Sequence, residues 1–444
     1  MKVLIIVLIL ILAASVCVVT LVTNAYAIGI EARNQEGKLV FGNSESSSHA
    51  HNAFEFGVWA FPILATNLIL LLLGILYYKK RLPAIVKKII DFILNFEVSR
   101  KIALIIVISL IAIYVIFNVS KIWNPEEESW GDYQSAVSGA KNWSFVGSVT
   151  LNSGSDLVIP FLIISVRYLL LSISLNILGN IRIIPFTVSI LLLVVTYYLT
   201  SKLSKKRFAG IISIVILLQS NLFLKYSVSA TEDNTWTLFY VLSLYLIYKK
   251  WFLSPLSYAL SLFSKPLVAI FLPVTFFFIY MSTLSKKEKT KTILLYIITI
   301  LIPAIIMIYL YRSSRFDYNE FWAGFAALNI FLRFDGLVLM FLLPLIVGLF
   351  ITSRRGILHA DSVMVLIMGV LLSAPLLASL ADITNQPYRF VPLVVFFAIG
   401  VGTLLSNKIS EPVQTKKNHV SVAVFLITLA TVLISLTLVI LPAL

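Results

Sequence analysis

Cysteine is almost absent from this chain: a single residue, Cys17, in 444. It lies inside an apolar run, so no disulfide and no thiolate metal site is expected. Charge is scarce as well, at 12% of positions against 59% hydrophobic, and the mean hydropathy is +0.98. No soluble core has that composition. Acids are the rarer sign, 20 Asp and Glu against 35 Lys and Arg, so a cluster of them is informative. No Gly-x-x-x-x-Gly-Lys loop occurs, and nothing marks a nucleotide hydrolase. Of the four histidines, His49 and His51 lie near Glu45 and Glu55. A solvated loop accounts for them better than a metal site, and neither metal nor cofactor is expected.

Long apolar runs are what the chain has in abundance. A spanning helix needs roughly 20 mostly apolar residues. Such runs recur near 3–23, 55–78, 102–119, 157–178, 184–200, 208–224, 234–248, 254–264, 266–281, 292–310, 336–352, 361–380, 390–405 and 420–441. Residues 1–27 have a signal-like arrangement of Lys2, an apolar stretch and Ala25-Tyr26-Ala27. The stretch 3–22 is longer than a usual signal core, which favours an uncleaved anchor with residue 28 outside.

The formal net charge of +15 would point to nucleic acid in a soluble chain. Here the cations sit in short loops between apolar runs, where membrane topology and anionic lipid account for them, and no nucleic-acid partner is expected. Lys79, Lys80, Arg81, Lys87, Lys88, Arg100 and Lys101 make the second connection cytoplasmic. If 157–178 crossed the bilayer, Lys202, Lys205, Lys206 and Arg207 would fall outside, against that rule. Arg167 in mid-run, with Asp156 and Pro160 at its start, argues instead for an interfacial helix. The sequence therefore predicts an all-α polytopic membrane protein with about 13 transmembrane segments and one interfacial helix in the first large outer loop. Threaded this way, inner segments hold 23 cations and 5 acids, outer segments 12 and 15. Acids do not set topology, so their outward bias calls for its own explanation.

The densest acids stand just after the third run, in Asn124-Pro-Glu126-Glu127-Glu128-Ser-Trp-Gly-Asp132-Tyr133. A second signal is Ser264-Lys265-Pro266, the tip of a hairpin between two basic inner loops. A cation there is costly unless an anion meets it. The bland readings are a solvated acidic turn, a helix cap at Asp233, a snorkelling Lys265 and interface anchors at Arg182 and Arg389.

In this order the motifs of residues 100–405 resemble the C superfamily of membrane glycosyltransferases, which includes aminoarabinose transferase and the protein O-mannosyltransferases. The resembling features are Glu127-Glu128, then Asp132-Tyr133 with Ala136 and Ala140; Pro160, Gly179 and Arg182 around an interfacial helix; and Arg207-Phe-Ala-Gly210 through Ser227, Ser229 and Asp233. Ser264-Lys265-Pro266 before Leu272-Pro273, and Gln386-Pro-Tyr388-Arg389-Phe-Val-Pro392, complete the series. The pair is Glu-Glu where that family has Asp-Glu more often. Residues 1–99, two spans with an outer loop at 24–54, have no counterpart there, and 406–444 adds a loop and a last span.

The resemblance implies an enzyme of the cell membrane. It would move a sugar from a polyprenyl-phosphate donor to a lipid, glycan or protein acceptor on the outer face, with the loop 120–183 catalytic. Asp132 or Glu128 would be the general base, with Glu127 and Asp233 as second acids or acceptor positioners. Lys265 and Arg389 would hold the departing phosphate, Arg312 or Arg315 would assist, and Tyr133 and Tyr388 would line the substrate site. A transporter or flippase of a lipid-linked or anionic substrate is the competing reading, and a non-catalytic membrane subunit the third.

Overall fold

The computed structural model describes residues 68–70, 72–76, 79, 81–123, 131–141, 149–150, 158–159, 165–230, 233–301, 305, 321, 324, 328, 335–357, 359–381, 387–406 and 418–437. In chain order these form α1 (Ala84–Asn95), α2 (Arg100–Asn118), α3 (Gly131–Lys141), α4 (Ser165–Ser172), α5 (Ile183–Ser204), α6 (Arg207–Gln219) and α7 (Asn221–Tyr226). There follow α8 (Asp233–Lys249), α9 (Ser254–Ser264), α10 (Leu272–Met281), α11 (Lys286–Tyr296), α12 (Gly336–Arg354), α13 (His359–Ala381), α14 (Val391–Leu404) and α15 (Asn418–Thr437). Tight 3-10 turns at Val119–Trp123, Pro266–Phe271 and Pro387–Phe390 adjoin α2, α10 and α14.

The fold is helical, as the all-α expectation has it, and the departure among the described residues is a ladder of two residues a side. Val149–Thr150 (β1) and Val158–Ile159 (β2) pair antiparallel, Val149 opposite Ile159. The run 157–178 is consequently not one helix: its first part is strand, and α4 begins only at Ser165 and ends in a π turn, Ile173–Ile177. At about 1.5 Å per residue this helix falls well short of a hydrocarbon core of roughly 30 Å. The run 208–224 is also divided. Ser220 takes an extended conformation, ends α6, and caps α7 by accepting the Phe223 N–H at 3.0 Å.

Among the described residues three helices are long and apolar enough to cross a membrane: Arg100–Trp123, Ile183–Ser204 and His359–Leu376. Protein covers only 33% of the first and 83% of the third, so α2 lies at the rim and α13 at the centre. Large apolar side chains face outward all along the rim, among them Leu104, Ile105, Ile108, Ile116 and Phe117 on α2 and Leu426 and Ile427 on α15. Such a surface suits hydrocarbon and not water.

Helices α5, α6, α8 and α14 pack round one another, with α9 along α8; α13 packs against α14, and α12 and α15 pack against α13. Where α14 crosses α5 and α6 the backbones nearly touch. A side chain at Gly402 would lie 2.3 Å from Thr200 Cγ2 and 2.8 Å from the Ala209 carbonyl oxygen, the small-residue contact that lets apolar helices associate in lipid.

Helices α5, α6, α8, α9, α10 and α11 run alternately up and down, as do α12 to α15, which sorts their connections into two ends. One end gathers the α5–α6, α8–α9, α10–α11 and α12–α13 turns, with Lys202, Lys205, Arg207, Lys249, Lys250 and Lys286 among its cations. Hydrogen bonds tie this basic end together: Tyr248 Oη to His359 Nδ1 at 3.1 Å, Lys289 Nζ to the Tyr280 carbonyl at 2.7 Å and Ser421 Oγ to Asp361 at 2.6 Å. The opposite end gathers the 3-10 turn after α2, the starts of α5, α8, α12 and α14, and the hairpin tip after α9.

Candidate functional site

The hairpin tip forms where the sequence predicts it. Pro255 starts α9, which stops at Ser264. Lys265 is extended (φ −152°, ψ 116°), and Pro266 then opens the 3-10 turn before α10. Because α8 and α9 run antiparallel side by side, the tip of α9 meets the start of α8, where Asp233 stands. Lys265 Nζ donates to Asp233 Oδ1 at 2.6 Å, and the Trp236 Nε1–H donates to the same oxygen at 2.9 Å. Asp233 is 1% and Lys265 7% exposed. The anion that a buried lysine needs is therefore Asp233, and the snorkelling reading of Lys265 does not hold. A pair this buried is held by its geometry and its extra hydrogen bond, and removing one member leaves the other stranded.

The segment before Asp233 is fixed to the bundle by polar bonds. Asn234 Nδ2 donates to Ser189 Oγ at 3.0 Å and to the Tyr226 carbonyl at 2.9 Å, and Ser189 Oγ donates to the Ser227 carbonyl at 2.5 Å. The Tyr226 ring meets Tyr388 edge-on with centroids 6.0 Å apart, and the Arg389 guanidinium lies 5.8 Å from the Tyr388 ring centroid. Arg389 is half-buried, and its Nε has no hydrogen-bond partner among the described residues. Asp335 is buried nearby, accepting from Ser220 Oγ and, at 3.1 Å, from the Val338 N–H that opens α12.

Helix α3 seats on this same end. Gly139 lies against Tyr168 of α4, so closely that a Cβ would stand 2.2 Å from the ring. Ala136 and Ala140 share a small apolar cluster with Leu171, Ile181 and Ala230, which sets α3 over the chain leading to Asp233. Asp132 occupies the second position of α3. Tyr133 follows, and the Arg182 guanidinium sits over its ring at 5.2 Å. Arg182 is 4% exposed and held in place by the turn after α4: its N–H donates to Asn180 Oδ1 at 2.9 Å, and Asn180 Nδ2 donates to the Ile122 carbonyl at 3.0 Å. Gly179, with φ +79°, makes that turn. A shallow cavity of about 330 Å³ runs beside α3, lined by Tyr133, Gln134, Val137, Ser138 and Lys141.

Of the residues singled out from the sequence, Asp233 and Lys265 touch, Tyr388 and Arg389 adjoin Tyr226, and Asp132 and Tyr133 sit on the docked α3. Glu127, Glu128, Arg312 and Arg315 lie outside the described residues. Arg182, read from sequence as an anchor, turns out to be the buried cation beneath Tyr133. Trp236 and Asp335 were not singled out at all. The spacing Asp233-x-x-Trp236 in the first turn of a helix was the available signal for Trp236, since residues three apart share a helix face. No protein-family model, curated protein or solved structure matches this chain.

Proposed function

We propose that this chain is a membrane glycosyltransferase that moves a sugar from a polyprenyl-phosphate donor to an acceptor on the extracytoplasmic face. About 13 spans thread the bilayer, with the basic end in the cytoplasm and the opposite end outside. The observation that carries the reading is the gathering, at the end away from the basic loops, of an acid-bearing helix (α3) and a buried lysine. The order of motifs resembling the C superfamily, which includes these same residues, also supports it.

In this reading a carboxylate at Asp132 or Glu128 takes the acceptor's proton as the acceptor oxygen attacks the anomeric carbon. The bond from that carbon to the phosphate oxygen breaks, its electron pair leaves on the phosphate, and Lys265 and Arg389 stabilise the growing charge. Asp233 and Trp236 hold Lys265 at the helix end. An ammonium carries three N–H donors, so a phosphate oxygen can join Asp233 on the same lysine without displacing it. Arg389, stacked beside Tyr388, offers a guanidinium fork suited to a phosphate. The shallow cavity along α3 is the natural place for the acceptor. A transporter would concentrate its charges near the bilayer midplane on broken helices, whereas Asp233 and Lys265 are at helix ends.

The test separates base from clamp. Asp132→Asn or Glu128→Gln, whichever is the base, should lower transfer by roughly two to four orders of magnitude and leave donor binding unchanged. Arg389→Ala should weaken donor binding by roughly ten- to a hundredfold, the worth of one charge-assisted contact. If both amides leave transfer intact in folded protein, the base assignment is wrong.

A further inference from the structure

Helix α1 has a feature that sugar transfer does not use. Ile85, Ile89, Phe92 and Ile93 recur at the spacing of one helix face, and they are 75%, 55%, 54% and 42% exposed. Val86, Ile90 and Leu94 form the neighbouring flank and are half-buried; Lys87 and Lys88 lie on the remaining side, exposed. The helix has no fully buried residue.

Its place in the fold is fixed at both ends. Upstream, the helical residues 72–76 finish in a turn closed by Lys79 N–H to the Ile75 carbonyl and Arg81 N–H to the Leu76 carbonyl, both at 2.9 Å. That segment passes beside α12, with the Cβ position of Gly74 3.9 Å from Ile351. Downstream, residues 96–99 lead straight into α2. This junction is clamped to the α5–α6 turn: Lys206 Nζ donates to the Leu94 carbonyl, the Arg207 N–H to Glu97 Oε1 at 3.1 Å, and the Phe96 ring meets Phe208 with centroids 4.8 Å apart. A helix of 12 residues, roughly 18 Å long and tied at both ends to one end of the bundle, must lie along that end.

We propose that α1 is an in-plane membrane helix. Its Ile85–Ile89–Phe92–Ile93 edge enters the boundary between headgroups and acyl chains at the basic end, and Lys87, Lys88 and the flanking Lys79, Arg81, Arg100 and Lys101 bind anionic headgroups. The charge balance selects that partner. Against these six cations the same stretch has only Asp91 and Glu97, and an apolar edge beside a basic face is the pattern that binds anionic bilayer surfaces. The proposal rests on the chain being embedded in a membrane and is independent of any enzymatic activity.

The experiment places an environment-sensitive fluorophore at Ile89→Cys, at Ile85→Cys as a second position on the same edge, and at Lys87→Cys. All are made in full-length protein carrying Cys17→Ser. Each is reconstituted in nanodiscs of phosphatidylcholine alone or with phosphatidylglycerol. The expected result is blue-shifted emission at 85 and 89, quenched by brominated acyl chains and protected from aqueous iodide, with the reverse at 87. The shift should grow when phosphatidylglycerol is present. Iodide quenching at 85 and 89 equal to that at 87 would overturn the proposal. So would protection from iodide without quenching by brominated lipid, which would mean that protein covers the edge. Equal shifts in the two lipid compositions would overturn the headgroup assignment.

Discussion

Under the proposed function the Asp233–Lys265 pair has two roles, one structural and one chemical, and substitutions can separate them. Replacing one partner of a buried pair strands the other charge and costs about 3–5 kcal/mol, whereas an uncharged pair of similar volume is near neutral. Asp233→Asn and Lys265→Met should therefore each lower the melting temperature in detergent clearly, and the double variant should recover most of the loss. Donor affinity, measured on the same double variant, should not recover, because the phosphate has lost its lysine. Full recovery of both would make the pair purely structural. The two residues were legible in the sequence singly, each at the end of an apolar run. Their contact was not, because it depends on α8 and α9 lying side by side, and Trp236 entered only through the helix face it shares with Asp233.

Among the elements, α3 is the one that carries an acid to the proposed site. It has few apolar residues and rests on small ones: Ala136 and Ala140 in the cluster with Leu171, and Gly139 against the Tyr168 ring. Gly139→Leu would drive a branched side chain into that ring and lift α3 from α4. Transfer should collapse while melting of the main bundle, which α3 barely touches, stays close to that of the parent protein. Unchanged transfer would show that α3 need not be seated. Arg182→Lys tests the same docking more gently: an ammonium keeps the charge but loses the planar face laid over Tyr133. Transfer should fall, and donor affinity should not. Helices α2, α5, α8, α12, α13, α14 and α15 fall in apolar runs read from the sequence, whereas the run 3–23 and most of 55–78 lie outside the described residues. The β1–β2 ladder was hidden, since two paired residues a side leave no periodicity, and the break at Ser220 was hidden within one apolar run.

For the molecule as a whole, sidedness is the first consequence of the charge distribution. Ser138→Cys and Lys141→Cys, at exposed positions on α3, should react with a membrane-impermeant thiol reagent from outside intact cells, and Lys202→Cys, exposed at the basic end, should not. Labelling at 202 from outside would invert the topology and move the site with it. The alternation of helix ends was legible from the basic loops alone, and the structure gathers those loops at one end of the bundle; which end faces the cytoplasm is the part that labelling decides. The central claim is chemical, and one measurement reaches it directly. Purified wild-type protein in nanodiscs is incubated with a panel of radiolabelled polyprenyl-phosphate sugars and a membrane extract as acceptor source, with Lys265→Ala in parallel. At least one donor should lose its label to an acceptor with release of polyprenyl phosphate, and the Lys265→Ala protein should bind that donor more weakly. Retention of label by every donor, with no measurable binding of any of them to folded wild-type protein, would contradict the account.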